Sequence, residues 1–135
     1  MLSEFGGAMN PQAFERERRK SKRHTMKDVA FAVLTSGSDE ELGQVVNISY
    51  GGLAFEYFVG SRQVNDGKYL DIMLAKSELR INKIPVRTIC DFEIKNDLPF
   101  STIAKRQQSI CFEMLTEEQK RQVDLLIQYH TQPSQ

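Results

Sequence analysis

The chain has 135 residues, 40% of them hydrophobic and 27% charged, and its 18 basic and 18 acidic side chains balance to a net charge of zero. That length suits one domain with a substantial core, and the composition is that of an ordinary globular protein. No apolar run approaches the roughly 18 residues that cross a bilayer, so no membrane insertion is expected.

The N-terminal part divides into a leader and a basic arm. Residues 1–14 lack the apolar core of a signal peptide and are expected to be a flexible leader. Residues 15–27 hold seven basic and two acidic side chains, a net of +5 that leaves −5 on the rest of the chain. Such a cluster attracts phosphates. The alternative is a solvated tail, or an arm that binds nucleic acid without specificity.

Period-two alternation predicts six short strands between residues 29 and 114. The apolar sets are Val29, Phe31 and Val33; Val46, Ile48 and Tyr50; Leu53, Phe55 and Tyr57; Leu70, Ile72 and Leu74; Ile84, Val86, Thr88, Cys90, Phe92 and Ile94; and Ile110, Phe112 and Met114. Turn residues separate them, at 36–39, 51–52, 65–67 and 96–99. Pro85 has no backbone donor, which predicts an edge position or a bulge there.

The period then changes to that of a helix. Thr116 and Gln119 have the spacing of a capping box, and Val123, Leu126, Ile127 and His130 form one stripe of a helix at about 117–130. Residues 132–135 are a polar tail. Six strands and one terminal helix predict an all-β domain over residues 15–131: a six-stranded antiparallel β-barrel with the helix packed on it.

Metal and catalytic chemistry are not expected. Cys90 and Cys111 are too few for a disulfide framework or a metal site, and without an export signal they indicate reduced thiols in a cytoplasmic protein. His24 is expected in an exposed loop, and His130 as packing or as a cation at the helix end. No nucleophile has a base at a recognisable spacing, which predicts that the protein is not an enzyme.

Two local constellations carry the candidate binding chemistry. Arg19 and Arg23 lie four residues apart, so two guanidinium groups converge on one anion from a helix or from an extended strand. A solvated charged arm is the alternative. Asn47 and Ser49 alternate with the apolar residues of the second strand, which predicts an amide and a hydroxyl on the outer surface, and Gly52 leaves room for a planar base. Here the alternative is a tight turn.

Together these residues resemble the PilZ family, whose signature is Arg-x-x-x-Arg, a strand, and then Asp or Asn-x-Ser-x-x-Gly. The counterparts here are Arg19 and Arg23, followed after 23 residues by Asn47, Ser49 and Gly52. Leu-Ala-Phe after Gly52 also resembles the third strand of that family, and residues 109–119 resemble its last strand and helix start. The resemblance covers residues 16–130.

The resemblance implies a bacterial second-messenger receptor that binds cyclic-di-GMP and has a PilZ-like split barrel. Arg19 and Arg23 are expected to bind phosphate and the guanine Hoogsteen edge, and Asn47 and Ser49 to take a guanine beside Gly52. Arg18, directly before the motif, is expected to stack on guanine, which accompanies an intercalated dimer of the ligand. No other cofactor is implied.

We expect the arm, residues 15–27, to be too charged to fold alone, to close over the ligand, and to signal to an unidentified downstream protein. Two other functions stay open. A small barrel that binds RNA or single-stranded DNA needs aromatic side chains on an outer strand face, whereas Phe31, Phe55, Tyr57, Phe92 and Phe112 are predicted mostly in the core. The second open function is a PilZ-like adaptor that has lost ligand binding. The intact arginine and Asn/Ser/Gly sets argue against it.

Overall fold

The computed structural model describes residues 22–59, 68–94 and 103–132, together with Gln12. Predictions that concern residues 1–11 and 13–21, the turn at 65–67 and the break at 96–99 lie outside these ranges. Along the chain the elements are β1 (His24–Thr25), β2 (Ala30–Ser36), β3 (Asp39–Ser49), β4 (Gly52–Val59), β5 (Tyr69–Leu74), β6 (Arg80–Ile94), β7 (Ala104–Phe112) and the C-terminal helix (Glu117–His130).

Six of these strands close into an antiparallel barrel in the order β2–β5–β6–β7–β4–β3. β3 closes the ring because its first half pairs with β2 and its second half pairs with β4. The predicted six-stranded barrel with a C-terminal helix is therefore confirmed. β1 is an additional short strand, which the sequence did not predict, and it pairs with the second half of β3.

The helix packs on the barrel with the stripe that its spacing predicted. Val123, Leu126 and Ile127 are buried in the core, and the predicted capping box at Thr116 is present. Inside this contact the Tyr50 hydroxyl donates to Asp124 Oδ1 at 2.7 Å, so both polar groups are satisfied despite their burial. The helix is thus part of the same hydrophobic core as the barrel.

The first long strand faces the opposite way from the prediction. Ala30, Ala32 and Leu34 are fully buried, whereas Phe31 is half-buried and Val29 is 47% exposed. The reason is space inside the barrel. Ala32 pairs with Gly43, and a Cβ on Gly43 would lie only 2.4 Å from Cδ2 of Phe55. Because the Phe55 ring occupies this part of the core, the facing residues are small.

Two bulges also change which residues face inward. A register shift between Val45 and Asn47 buries Val45 and leaves Val46 half-buried, contrary to the prediction for Val46. A second shift, between Thr88 and Cys90, turns Cys90 outward and leaves Phe92 46% exposed. Each bulge inserts one residue into a strand, so the alternation beyond it reverses.

Pro85 lies within β6, and Met114 follows β7. Pro85 lies beside an irregularity at residues 82–83, where Lys83 has a φ of 55° and donates its N–H to Asp71 Oδ1 at 2.7 Å. This agrees with the predicted bulge. Met114, predicted in the last strand, lies beyond the end of β7 and is 71% exposed.

The reversal in β6 brings a carboxylate into the barrel wall. Asp91 accepts hydrogen bonds from the Tyr57 hydroxyl, from Arg106 Nε at 2.7 Å and from Gln108 Nε2 at 3.2 Å. Burial, and then the hydrogen bond to Asp91, raise the pKa of Tyr57 above its ordinary value. Glu41 faces the same interior, since it pairs with the fully buried Leu34. Burial, and then the charge of Asp91, raise the pKa of Glu41.

The raised pKa of Glu41 gives stability a predictable pH dependence. A carboxyl that binds its proton more tightly in the folded state favours folding below its ordinary pKa of 4.5, and this contribution is lost as the pH rises through the higher folded value. We therefore expect Glu41→Gln to raise the urea midpoint of unfolding at pH 7, with the gain shrinking as the pH falls toward 4.5. A gain that is equal at both pH values would contradict this assignment.

Candidate functional site

The end of the basic arm is held as a strand against the barrel. His24 pairs with Ile48 and Thr25 with Asn47, and the Met26 N–H donates to the Val46 carbonyl at 3.1 Å. This is possible because β2 pairs with β3 only as far as Gln44, which leaves the second half of β3 with an open edge. The expectation that all of residues 15–27 lack structure alone is therefore wrong for residues 24–27.

The same segment is also tied to the end of the helix. The Lys27 N–H donates to the His130 carbonyl at 2.9 Å, and the Gln132 N–H donates to the Thr25 carbonyl at 2.8 Å. His130 Nδ1 lies 2.8 Å from Asp28 Oδ2. His130 therefore fixes the arm to the helix end, while His24 lies in a strand rather than in the expected loop.

The pairing of β1 places one predicted arginine beside the predicted amide. Arg23 Nη1 donates to Asn47 Oδ1 at 3.3 Å, across 24 residues of sequence, and this contact is exposed. Arg18 and Arg19 lie outside the described residues. The structure thus brings together Arg23 and Asn47, one member of each constellation.

Asn47 and Ser49 share the outer face, as their spacing predicted. Asn47 pairs with Ala54 and Ser49 with Gly52, whereas the intervening Ile48 is fully buried in the core. Ser49 itself is only 2% exposed. Its hydroxyl donates to the Gly52 carbonyl at 3.3 Å and accepts the Gly51 N–H at 3.2 Å. The prediction of a surface hydroxyl is wrong here because the β3–β4 turn uses it, which was the alternative explanation.

Gly52 is explained by strand packing. A Cβ at this position would lie 2.1 Å from the backbone oxygen of Ile110 on β7, to which β4 is paired. A glycine is therefore needed for the close approach of two backbones, whether or not a base lies nearby. Its predicted role in ligand binding stays a prediction.

A cleft of about 290 Å³ lies next to the Arg23–Asn47 contact, where β1 and β2 separate along the edge of β3. Its lining residues are Met26, Lys27, Asp28, Val29, Gln44, Val45, Val46 and Glu56. Lys105 Nζ lies 3.0 Å from Glu56 Oε1, and both side chains are about one-third exposed. A cation, an amide and carboxylates around one cleft suit a polar ligand that carries both donors and acceptors.

Sequence reasoning did not assign Lys27, Asp28 or Glu56 to a binding site. Lys27 and Asp28 lie at the end of a charged run, and Glu56 is an isolated carboxylate in an apolar strand, so no local motif marks them. Their common feature is position along the open edge of β3, which depends on pairing between distant segments. A charged residue within the alternation of a core strand was the one available signal for Glu56.

Other chemistry is limited in the described ranges. Cys90 and Cys111 are free thiols, the first exposed and the second half-buried. Within residues 22–59, 68–94 and 103–132 no three His, Cys, Asp or Glu side chains are grouped to hold a metal ion. In the same part of the chain, no helix has the length and hydropathy to cross a membrane.

Comparison with solved structures identifies the architecture. The PilZ domain of YcgR from Escherichia coli, described with c-di-GMP, has a TM-score of 0.61 at 13% identity, covering 82% of this chain and 89% of that one. The fold is that of a PilZ domain. The c-di-GMP-dependent transcription regulatory factor MrkH also has a TM-score of 0.61, at 17% identity, and so does the K. pneumonia MrkH–c-di-GMP complex, at 18%.

The extent of these matches differs. The PilZ-like chain spans about half the length of the two MrkH chains, 49% and 52%, but most of the YcgR domain. Neither a protein-family model nor a curated protein matches the sequence. At identities below 20%, the similarity is one of fold.

The role of Gly52 in packing generates a prediction about stability. Gly52→Ala forces the backbones of β4 and β7 apart, and overpacking of this kind costs about 1–3 kcal/mol or more. We expect a lower urea midpoint with an unchanged far-ultraviolet circular dichroism spectrum. Gly37→Ala is the comparison, since a Cβ there meets no atom within 4 Å and only its φ of +63° is unfavourable. Equal stability of Gly52→Ala and the parent would contradict the packing explanation.

Proposed function

We propose that this PilZ-like chain is a receptor for cyclic-di-GMP, which it binds at the outer surface where the arm crosses β3. The observation that supports this most directly is the contact between Arg23 and Asn47, because it joins the two halves of the family signature. Solved structures with the same fold, YcgR and MrkH, are described with c-di-GMP. The proposed domain is residues 15–131, and its role is binding rather than catalysis.

In this mechanism the arginine exchanges one partner for another. In the structure Arg23 donates to the neutral amide oxygen of Asn47. A phosphate or the guanine Hoogsteen edge offers a stronger, bidentate acceptor to a guanidinium. When Arg23 moves to the ligand, the Asn47 oxygen becomes available to a guanine donor. Arg18 and Arg19 then close from the preceding residues of the arm.

The movement has a fixed starting point. β1 holds His24 and Thr25 on β3, so closure of the arm begins immediately before this pairing rather than at the barrel itself. The ordering cost then applies to residues 15–23, and the charge-assisted bonds to the ligand offset it. The closed arm presents a new surface to a downstream protein.

Calorimetric titration with cyclic-di-GMP tests the receptor proposal. We expect the parent to bind. Arg23→Ala should weaken binding roughly 10- to 100-fold, because charged hydrogen bonds contribute about 1.5–3 kcal/mol. Asn47→Ala should weaken it about 5-fold, because a neutral hydrogen bond contributes about 1 kcal/mol. Arg80→Ala is the matched control. It removes the same charge at the start of β6, where residue 80 pairs with Met73. Binding by Arg23→Ala as tight as the parent would contradict the site.

The stoichiometry tests the role of Arg18. We expect the parent to bind two ligand molecules per chain as an intercalated dimer, because a guanidinium stacked on guanine stabilises the second molecule by about 0.5–2 kcal/mol. Arg18→Leu should therefore lower the stoichiometry from two toward one. A ratio of two that survives this substitution removes Arg18 from the site.

A second candidate function has an observation in its favour. Phe58 is 59% exposed and Phe92 46%, so aromatic side chains do lie on the outer face of β4 and β6, contrary to the prediction for Phe92. Lys105 pairs with Phe58 across β4 and β7. Exposed aromatics beside a cation are typical of single-stranded nucleic-acid binding. Tighter, strongly salt-dependent binding of random oligonucleotides than of cyclic-di-GMP would favour this function.

A further inference from the structure

We propose that Glu56 selects guanine: its carboxylate accepts the N1–H and N2–H donors of one base of the ligand, in the cleft between β1, β2 and β3. This inference rests on the proposed function and deepens it, since it assigns base selectivity to a residue outside the Arg-x-x-x-Arg and Asn-x-Ser-x-x-Gly sets. The argument comes from the position of the cleft, the chemistry of its walls and the partner of Glu56.

The cleft is adjacent to the Arg23–Asn47 contact. Its walls include Met26 and Val46, each the chain neighbour of a residue in the Thr25–Asn47 pair. Glu56 lies two residues along β4 from Ala54, which is the β4 partner of Asn47. Two residues along a strand return to the same face, so Glu56 and Asn47 are diagonal neighbours, about 7–8 Å apart. A ligand held by Arg23 and Asn47 therefore reaches the cleft.

Guanine needs an acceptor that Asn47 does not supply. The Watson–Crick edge of guanine presents two adjacent donors, N1–H and N2–H, while an amide has a single acceptor oxygen. An ionised carboxylate accepts both with its two oxygens, and such charge-assisted bonds are roughly twice as strong as neutral ones. Adenine places an acceptor at N1, so a carboxylate in this position also disfavours the wrong base.

The remaining walls of the cleft support this orientation. Lys105 Nζ lies 3.0 Å from Oε1 of Glu56, an ion pair that holds the carboxylate in place through one of its two oxygens. Gln44 is paired with Glu56 across β3 and β4 and offers a second polar group at the same level. Lys27, which also lines the cleft, suits a phosphate. One base and one phosphate fit this arrangement of donors and acceptors.

Asp28 is the other carboxylate of the cleft, and it differs from Glu56 in its partner, His130. Its Oδ2 lies 2.8 Å from His130 Nδ1, within the contact that ties the arm to the helix end. A base that took Asp28 would have to compete with that contact. The ion pair between Glu56 and Lys105 links only the paired strands β4 and β7, so a base that binds Glu56 leaves the contact between arm and helix intact. This is why the geometry favours Glu56.

Ligands that differ only at the base edge test the assignment. Cyclic-di-IMP carries hypoxanthine, which keeps N1–H and lacks the N2 amine, and cyclic-di-AMP lacks both donors. We expect the parent to prefer cyclic-di-GMP over cyclic-di-IMP by about tenfold, the value of one charged hydrogen bond. Glu56→Gln should lose about tenfold or more in affinity for cyclic-di-GMP and should no longer distinguish it from cyclic-di-IMP.

Matched variants test whether the Glu56 carboxylate itself, rather than its ion pair or Asp28, causes the preference for guanine. Lys105→Met breaks the same ion pair but keeps the carboxylate, so the preference for cyclic-di-GMP over cyclic-di-IMP should survive. Asp28→Asn, the other carboxylate of the cleft, should keep it as well, and a loss of selectivity in Asp28→Asn alone would overturn the assignment to Glu56. Glu56→Asp retains a carboxylate, and part of the preference should remain, which excludes misfolding as the cause of the Glu56→Gln result.

The failures of the two proposals differ in outcome. A parent protein that binds no cyclic-di-GMP overturns the receptor function, and with it the role of Glu56. A parent that binds cyclic-di-GMP, together with a Glu56→Gln variant that keeps the full preference over cyclic-di-IMP, overturns the role of Glu56 and leaves the receptor function in place.

Discussion

The site depends on an edge of β3 that β2 leaves open. β2 pairs with β3 only as far as Gln44, and the bulge at Val46 follows immediately. An unpaired strand edge is a row of unsatisfied donors and acceptors, and another extended segment satisfies them. β1 does so here, and in doing so it sets the position of Arg23 relative to Asn47. The gap between the end of β1 and the start of β2, spanned by residues 26–29, is the cleft.

The same edge connects the arm to the helix. The backbone of residues 25–28 forms hydrogen bonds with β3 on one side and with residues 130–132, at the end of the helix, on the other. Residues 25–28 are therefore held on two sides, by β3 and by the end of the helix. In the proposed receptor, a ligand-driven change at Arg23 acts on a segment that is already registered against the barrel, so the change is confined to the residues that precede β1.

The interior of the barrel imposes a second constraint, which is volume. The Phe55 ring fills the space in front of Gly43, and the β7 backbone fills the space in front of Gly52. Small residues at these points let the strands close, and they move bulky side chains such as Phe31 toward the outer surface. The polar side chains around Asp91 in the barrel form a hydrogen-bonded network. Asp91 accepts hydrogen bonds from three side chains on two strands, β4 and β7. Among the described residues, no buried side-chain nitrogen or oxygen lacks a partner.

The sequence alone predicted the barrel, its C-terminal helix, and Arg23 and Asn47 as members of one site. Alternation of period two and the capping box at Thr116 are local signals, and local physics decides them. Only the tertiary structure decided the facing of Phe31, Val46 and Phe92, because bulges and the volume of Phe55 act between distant strands. It also decided that the Ser49 hydroxyl closes a turn, and that Glu56 stands beside the Arg23–Asn47 contact. Such placement arises from pairing between segments, which no window of sequence contains.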